Sequence, residues 1–251
     1  MTQLMMFHSN AVLRLISRGL STRGLANSSS NGSITAPRSV AVLGAPFWNG
    51  QPKSGTELAP DALRANGLLD KLTAIQSNVI DMGNLHLGLN ADNFDNLPKS
   101  WPSGNHNKNA YLIAQMVKRL STSVASLIDR EYLPMVLGGD HSIAVGSVLG
   151  TCSAKRLQGE EISLLWIDAH ADANTEDSSK SGNYHGMPVT FLLKEVLRPG
   201  SSLFANLPPA RLSARNVAFI GLRDVELQEL QLLQKMNLTY FSMEHVDRLG
   251  K

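Results

Sequence analysis

Cysteine is all but missing from this chain, with Cys152 the single example in 251 residues. An intrachain disulfide is therefore impossible, and an oxidising compartment is not implied. No apolar run approaches the length of a membrane span. A strong excess of one charge is also lacking: the formal net charge is +2, too small a field to suggest nucleic acid as a partner. No internal repeat is found. Acidic residues are absent before Glu57, whereas Arg14, Arg18, Arg23 and Arg38 all precede it. What is present is 43% hydrophobic content, enough for one large core or at most two modest ones.

The arginine-bearing leader reads as a targeting segment rather than part of a fold. Leu4, Met5, Phe7, Val12, Leu15 and Ile16 can share one amphipathic helical surface, with Arg14 and Arg18 one turn apart. A Ser- and Asn-rich tract, Ser28-Ser29-Ser30-Asn31-Gly32-Ser33, lies behind them. Arg-rich, Ser-rich and acid-free is the pattern of a mitochondrial transit peptide, and a secretory signal would show a longer unbroken apolar core. Residues 1–38 are thus expected to be disordered and to direct import into the matrix, with residues 39–251 forming the folded part. The plainer alternative is an N-terminus that is disordered and nothing more.

From Ser39 onward strands and helices alternate. Strands are expected at Ser39 to Gly44, Asn78 to Met82, Leu133 to Leu137, Ile162 to Ile167, Asn216 to Gly221 and Leu238 to Phe241. Helices are expected at Pro60 to Leu69, Ala110 to Ile128, from Ile143, at Val189 to Leu197, Val225 to Met236 and from Met243. Asn84 to Asn107 reads as a long loop. Such alternation predicts an α/β fold, a three-layer sandwich around a mainly parallel sheet.

The chain is organised around Ile162-Ser163-Leu164-Leu165-Trp166-Ile167-Asp168-Ala169-His170-Ala171-Asp172. It starts as a buried parallel strand and turns polar within one residue. Asp168, His170 and Asp172 follow at spacing two, so an extended backbone would point all three to one side. That side is the strand's carboxyl end, where open α/β sheets bind ligands. Burying two acids and a histidine together is costly, and a divalent metal relieves the cost because carboxylate oxygen and imidazole nitrogen are both good ligands. The bland alternative is a polar surface turn. Gly138-Gly139-Asp140-His141-Ser142 places His141 at an equivalent strand end. Alone, that histidine would more often cap a helix; beside the second cluster it reads as a ligand.

The loop from Asn174 to Gly186 offers Asn174, Ser181, Asn183 and His185, short polar groups suited to a small polar substrate, with His185 able to shuttle protons near neutral pH. Gly221-Leu222-Arg223-Asp224-Val225-Glu226 is a further polar strand end. Its acids would either bind a substrate amine or favour the first turn of the following helix.

In their order, Gly-Gly-Asp-His-Ser, Asp-Ala-His-Ala-Asp, Ser-Gly-Asn-Tyr-His-Gly and Gly-Leu-Arg-Asp-Val resemble the arginase branch of the ureohydrolase family, from about Val40 to Gly250. The resemblance, with the leader, implies a mitochondrial form that hydrolyses L-arginine to L-ornithine and urea with two manganese ions bridged by hydroxide, in a homotrimer. It implies that His141 and Asp172 ligate one manganese, His170 the other, and that Asp168 bridges both. Asn174 and Ser181 would read the α-carboxylate, and His185 would shuttle the proton. Glu226 stands where the family has its amine-binding aspartate, and Glu229 matches a further acidic position near the amine.

The family's second Asp-x-Asp metal pair and its guanidinium-binding glutamate have no counterpart between Asp172 and Lys251. The expectation is therefore a chain whose C-terminal part is missing, with half a site, exposed strand edges and little or no activity. Agmatinase, within the family, is disfavoured because agmatine has no carboxylate for Asn174 and Ser181. A non-catalytic truncated isoform that binds metal or a partner subunit is the alternative of a different class.

Overall fold

The structure, a computed structural model, describes residues 3–8, 39–75, 78–86, 105–196 and 212–249. Seven strands run in chain order: β1 Gln3–His8, β2 Val40–Ala45, β3 Val79–Asn84, β4 Leu133–Gly138, β5 Ile162–Ile167, β6 Val217–Leu222 and β7 Thr239–Ser242. Between them lie the helices α1 Ala59–Ala65, α2 Leu68–Ile75, α3 Asn105–Asp129, α4 Ala144–Leu157, α5 Pro188–Leu192, α6 Leu227–Lys235 and α7 Met243–Leu249.

The strands form two sheets instead of the single one expected. One has the order β3-β2-β4 and the other β1-β5-β6-β7. Every pairing among β2 to β7 is parallel. β4 and β5, consecutive in the chain, share no ladder. The β5 edge is instead met by β1, which pairs antiparallel with Gln3 opposite Ile167 and His8 opposite Ile162. Gln3–His8 is therefore extended and part of a sheet, which corrects the expectation of a helical or disordered leader for these six residues. The physical reason is the unpaired row of N–H and C=O groups that a strand edge presents. The rest of the leader falls outside the described residues, as does most of the expected loop from Asn84 to Asn107.

One continuous core ties the two sheets together. Leu112, Ile113, Met116, Val117, Leu120, Val124 and Leu127 of α3 are buried at helical spacing. They pack with α4, with Ala41 and Leu43 of β2, and with Leu164, Trp166 and Phe219 of β5 and β6. On the other face of β2, Val40 and Val42 meet Leu72 of α2 and Leu137 of β4. Successive β2 side chains thus enter cores on opposite faces, as the period of two requires, and the three-layer α/β arrangement follows.

Two expected helices are shorter or broken. Pro60 to Leu69 divides into α1 and α2 at Gly67, whose φ of 78° is left-handed and stops the first helix. Val189 to Leu197 reduces to α5, because Leu193 is already extended and bridges to Leu212. Leu193, one of the apolar residues that suggested a longer helix, serves that bridge, and Leu197 lies outside the described residues.

Candidate metal centre and substrate loop

Carboxyl ends of β4, β5 and β6 converge, and each delivers part of the site. After β4 the chain must turn against the backbone of Phe47. A Cβ on Gly139 would lie 1.9 Å from the Phe47 carbonyl oxygen, so only glycine fits. Asp140 then anchors the turn on two sides: its Oδ1 accepts the Ser142 N–H at 2.8 Å and its Oδ2 accepts the Gly50 N–H at 2.8 Å. His141 is held between these anchors.

After β5, the Asp168 N–H donates to the Ile220 carbonyl at 3.0 Å, extending the ladder with β6 one residue past the strand. Asp168 is thereby positioned by the sheet itself. The strand stops at Ile167, the chain bends over Asp168, Ala169 and His170 instead of staying extended as expected, and it reaches Asp172 with a left-handed φ of 47°. That conformation costs a non-glycine residue about 1–2 kcal/mol, so neighbouring contacts must enforce it.

Asp172 Oδ2 lies 2.5 Å from His141 Nδ1, and Asp168 Oδ2 lies 3.4 Å from the same nitrogen. The other Asp168 oxygen, Oδ1, is 3.4 Å from His170 Nδ1 and accepts the His170 N–H at 3.1 Å. One carboxylate therefore turns an oxygen to each of two histidines. The His141 ring packs on Trp166 with centroids 4.4 Å apart, and its Nε2 is buried without a hydrogen-bond partner.

His141, Asp168 and Asp172 can offer ligand atoms that all lie within 4.8 Å of one another. The nitrogen lone pair and two carboxylate oxygens repel unless a proton or cation sits among them. Nitrogen and oxygen donors of this kind suit a divalent ion such as manganese, so these residues fit one. His170 is more open, with its side chain 55% exposed and Nε2 3.4 Å from Asp224 Oδ2. The expected convergence of all three spacing-two residues is thus realised for Asp168 and Asp172, whereas His170 stands on the outer side of Asp168.

The substrate-loop residues gather beside this centre. The His185 N–H and Nδ1 both reach the Gly50 carbonyl, at 3.0 and 3.1 Å. A carbonyl only accepts, so Nδ1 carries the hydrogen and Nε2 is left to exchange protons. Asn174 is buried, with its Nδ2 donating to Glu226 Oε2 at 3.3 Å and its Oδ1 accepting from the Ser178 hydroxyl at 2.8 Å. Ser181 is exposed, and its hydroxyl accepts the Asn183 N–H at 3.3 Å. The Tyr184 hydroxyl is pushed up to about 12 by burial, with the Glu176 charge adding, so it remains a neutral donor.

Glu226 caps α6 in a reciprocal box with Glu229. It is also exposed and accepts the Asn174 Nδ2 hydrogen bond, so the capping alternative is realised in this side chain. Glu229, which the resemblance matches to an acidic position near the amine, is buried against Glu226. It is 4% exposed, and its oxygens accept the Ala173 and Glu226 N–H groups at 2.9 and 3.0 Å. Burial holds its carboxyl above the usual range, the Asp172 and Glu226 charges add to this, and the two N–H bonds oppose it.

Sequence reasoning missed the parts played by Gly50 and Asp140. Asp140 had a signal, being inside the Gly-Gly-Asp-His-Ser run. Gly50 had none, since its partner His185 is 135 residues away.

A family model described as "Arginase family" matches residues 38–251. Arginase-1 of Bos taurus is 39% identical over 216 residues, which are 85% of this chain and 63% of that protein. The chain therefore spans less than two thirds of the length of this curated relative. Among solved structures, the arginase of Bacillus caldovelox matches with a TM-score of 0.68 at 28% identity, over 85% of this chain and 68% of its own. The Entamoeba histolytica arginase in complex with L-ornithine matches with a TM-score of 0.68 at 25% identity, over 85% and 67%.

Proposed function

The chain belongs to the arginase family, and on that premise we propose that its site binds manganese and serves the hydrolysis of L-arginine to L-ornithine and urea. The observation that carries this reading is Asp168, which turns one oxygen to His141 and the other to His170, with Asp172 beside His141. His141, Asp168 and Asp172 would hold one ion, and Asp168 with His170 a second. Manganese, when bound, would acidify a water so that a nucleophile for the guanidinium carbon is available at neutral pH.

The chain's own residues do the rest. His185, with its hydrogen fixed on Nδ1, accepts and returns a proton at Nε2 as the amine leaves. Asn174 and Glu226 form a donor–acceptor pair 3.3 Å apart. An α-amino acid head carries a carboxylate and an amine at similar separation, so it can exchange that internal bond for one to each residue. Ser181 and Asn183 complete the carboxylate's hydrogen bonds. Agmatine lacks the carboxylate and would leave Asn174 unmatched. A similar protein, the arginase of Entamoeba histolytica, is described in complex with L-ornithine, which supports an amino acid as the class of ligand.

Import into the mitochondrial matrix and assembly into a homotrimer complete the proposal. Asp168 and Asp172 are the two carboxylates assigned as ligands here, against the four positive charges of a metal pair, so turnover by the 251-residue chain is expected to be low. Purified chain should bind manganese, lose it in Asp168→Ala, and be stabilised further by L-arginine but not by agmatine. Absence of manganese binding, or preference for agmatine, would overturn the reading. Manganese binding with no response to arginine would favour the non-catalytic alternative.

A further inference from the structure

We propose that Glu229 is a positioning residue, which sets the left-handed backbone of Asp172 from beneath the loop and so aims the Asp172 carboxylate at His141. The inference rests on the proposed metal site but concerns a residue that touches neither substrate nor metal ligand atoms.

Four observations meet at this point. Asp172 is held at a φ of 47°, and only Glu131 and Asn237 share that sign among the described non-glycine residues. The peptide group that follows sends its N–H, that of Ala173, 2.9 Å to Glu229 Oε1. On the other side of the same peptide, the Asp172 carbonyl accepts the Val189 N–H at 3.1 Å. Finally, Glu229 is 4% exposed and its second oxygen accepts the Glu226 N–H, so both oxygens are engaged by backbone within the fold.

The Asp172–Ala173 peptide is therefore gripped at both ends, and its plane decides where the Asp172 side chain points. Rotating it back toward an ordinary extended conformation would leave a buried carboxylate unpaired on one side. That loss disfavours the rotation, because a buried charged acceptor deprived of its donor is costly to leave unpaired, whereas aspartate is among the few non-glycine residues that tolerate the left-handed conformation. The same carboxylate also pins the first turn of α6 through Glu226. Glu229 thus fixes the metal ligand Asp172 and the substrate-facing Glu226 with one group.

Glu229→Gln keeps the shape but presents an amide NH2 to one of the two N–H donors, so one bond is lost. Three measurements on the full 251-residue chain test the assignment. The Ala173 amide should exchange with solvent faster in the variant. The His141 imidazole 15N resonances, recorded without metal at one fixed pH, should shift as the Asp172 contact loosens. Manganese affinity should fall about 10–100-fold, the range for partners that orient a ligand. Leu233→Ala, on the same helix and fully buried, provides the comparison: it should lower thermal stability while leaving the His141 resonances of the folded chain in place. Unchanged His141 resonances in Glu229→Gln, or equal changes in Leu233→Ala, would overturn the inference. If the wild-type chain binds no manganese, the proposed function falls, and the metal-free His141 and Ala173 signals still decide this one.

Discussion

His185 spends two of its donors on one acceptor, the carbonyl of Gly50, with N···O distances of 3.0 Å from the backbone and 3.1 Å from Nδ1. The imidazole is thereby fixed in tautomer and direction before any substrate arrives. Gly50 is itself tied to Asp140, the residue before His141. The proton-transfer group and the metal ligand are thus referred to the same short loop after β2.

The first prediction concerns that fixed imidazole. His185→Ala should leave manganese binding intact and abolish whatever single-turnover urea release wild type shows, since a general acid or base contributes about 10²–10⁴-fold. Release unchanged from wild type would remove His185 from the mechanism.

Asp168 should matter more to metal than either histidine, because its two oxygens face both. Titrated with manganese, Asp168→Ala should abolish binding, whereas His141→Ala and His170→Ala should each only weaken it. Equal and small losses from all three would mean that the residues do not share a site.

Gly139→Ala tests the close approach to Phe47. The clash is with backbone, which cannot swing aside as a side chain would. Thermal and urea denaturation should show a loss of at least about 1–3 kcal/mol, the range for overpacking. Manganese affinity should fall as well, since His141 lies two residues on. A variant as stable as wild type would show that the turn is free to relax.

A pH dependence follows from Arg64, whose guanidinium grips Asp81 at 2.8 and 2.9 Å and draws its carboxyl below the ordinary 3.8. A lowered folded-state value means that the unfolded chain takes up the proton first as pH falls. The stabilisation is therefore complete above the unfolded value and disappears as pH drops through the folded one. Compared with Asp81→Asn, wild type should be more stable by about 1 kcal/mol or less at pH 7, as for exposed pairs. That gap should close below pH 3.8. A gap that widens in acid would have the sign wrong.

Much of the site was legible because its signals are local. A buried strand that turns polar at Asp168, and a glycine pair that turns sharply before His141, each declare themselves within a few residues. Partners remote in the chain were not legible. Glu229, three residues after the α6 cap, looks like a surface acid favouring a helix start, and only the return of Ala173 across 56 positions shows that it is buried. The fold divided in the same way. Alternating strands and helices could be read, as could the buried stripe of α3. The failure of β4 and β5 to pair could not, because strand pairing is a long-range choice that periodicity does not encode. The end of α5 was set by a bridge from Leu193 to Leu212, a tertiary contact that overrides local preference.

The division into two sheets gives the metal centre a mechanical part. His141 rides on the sheet of β4, while Asp168 and Asp172 ride on that of β5, and among the described residues no ladder of hydrogen bonds crosses between them. An ion held by all three would be a rivet through the seam. Its grip would last only as long as the halves stay closed, so breathing of the seam would set how fast the ion escapes. Conversely, occupancy would fasten the halves: at a free-ion concentration of 100 times Kd it adds about 2.7 kcal/mol to stability. Manganese supply would then govern how long the folded chain survives as well as what it can do.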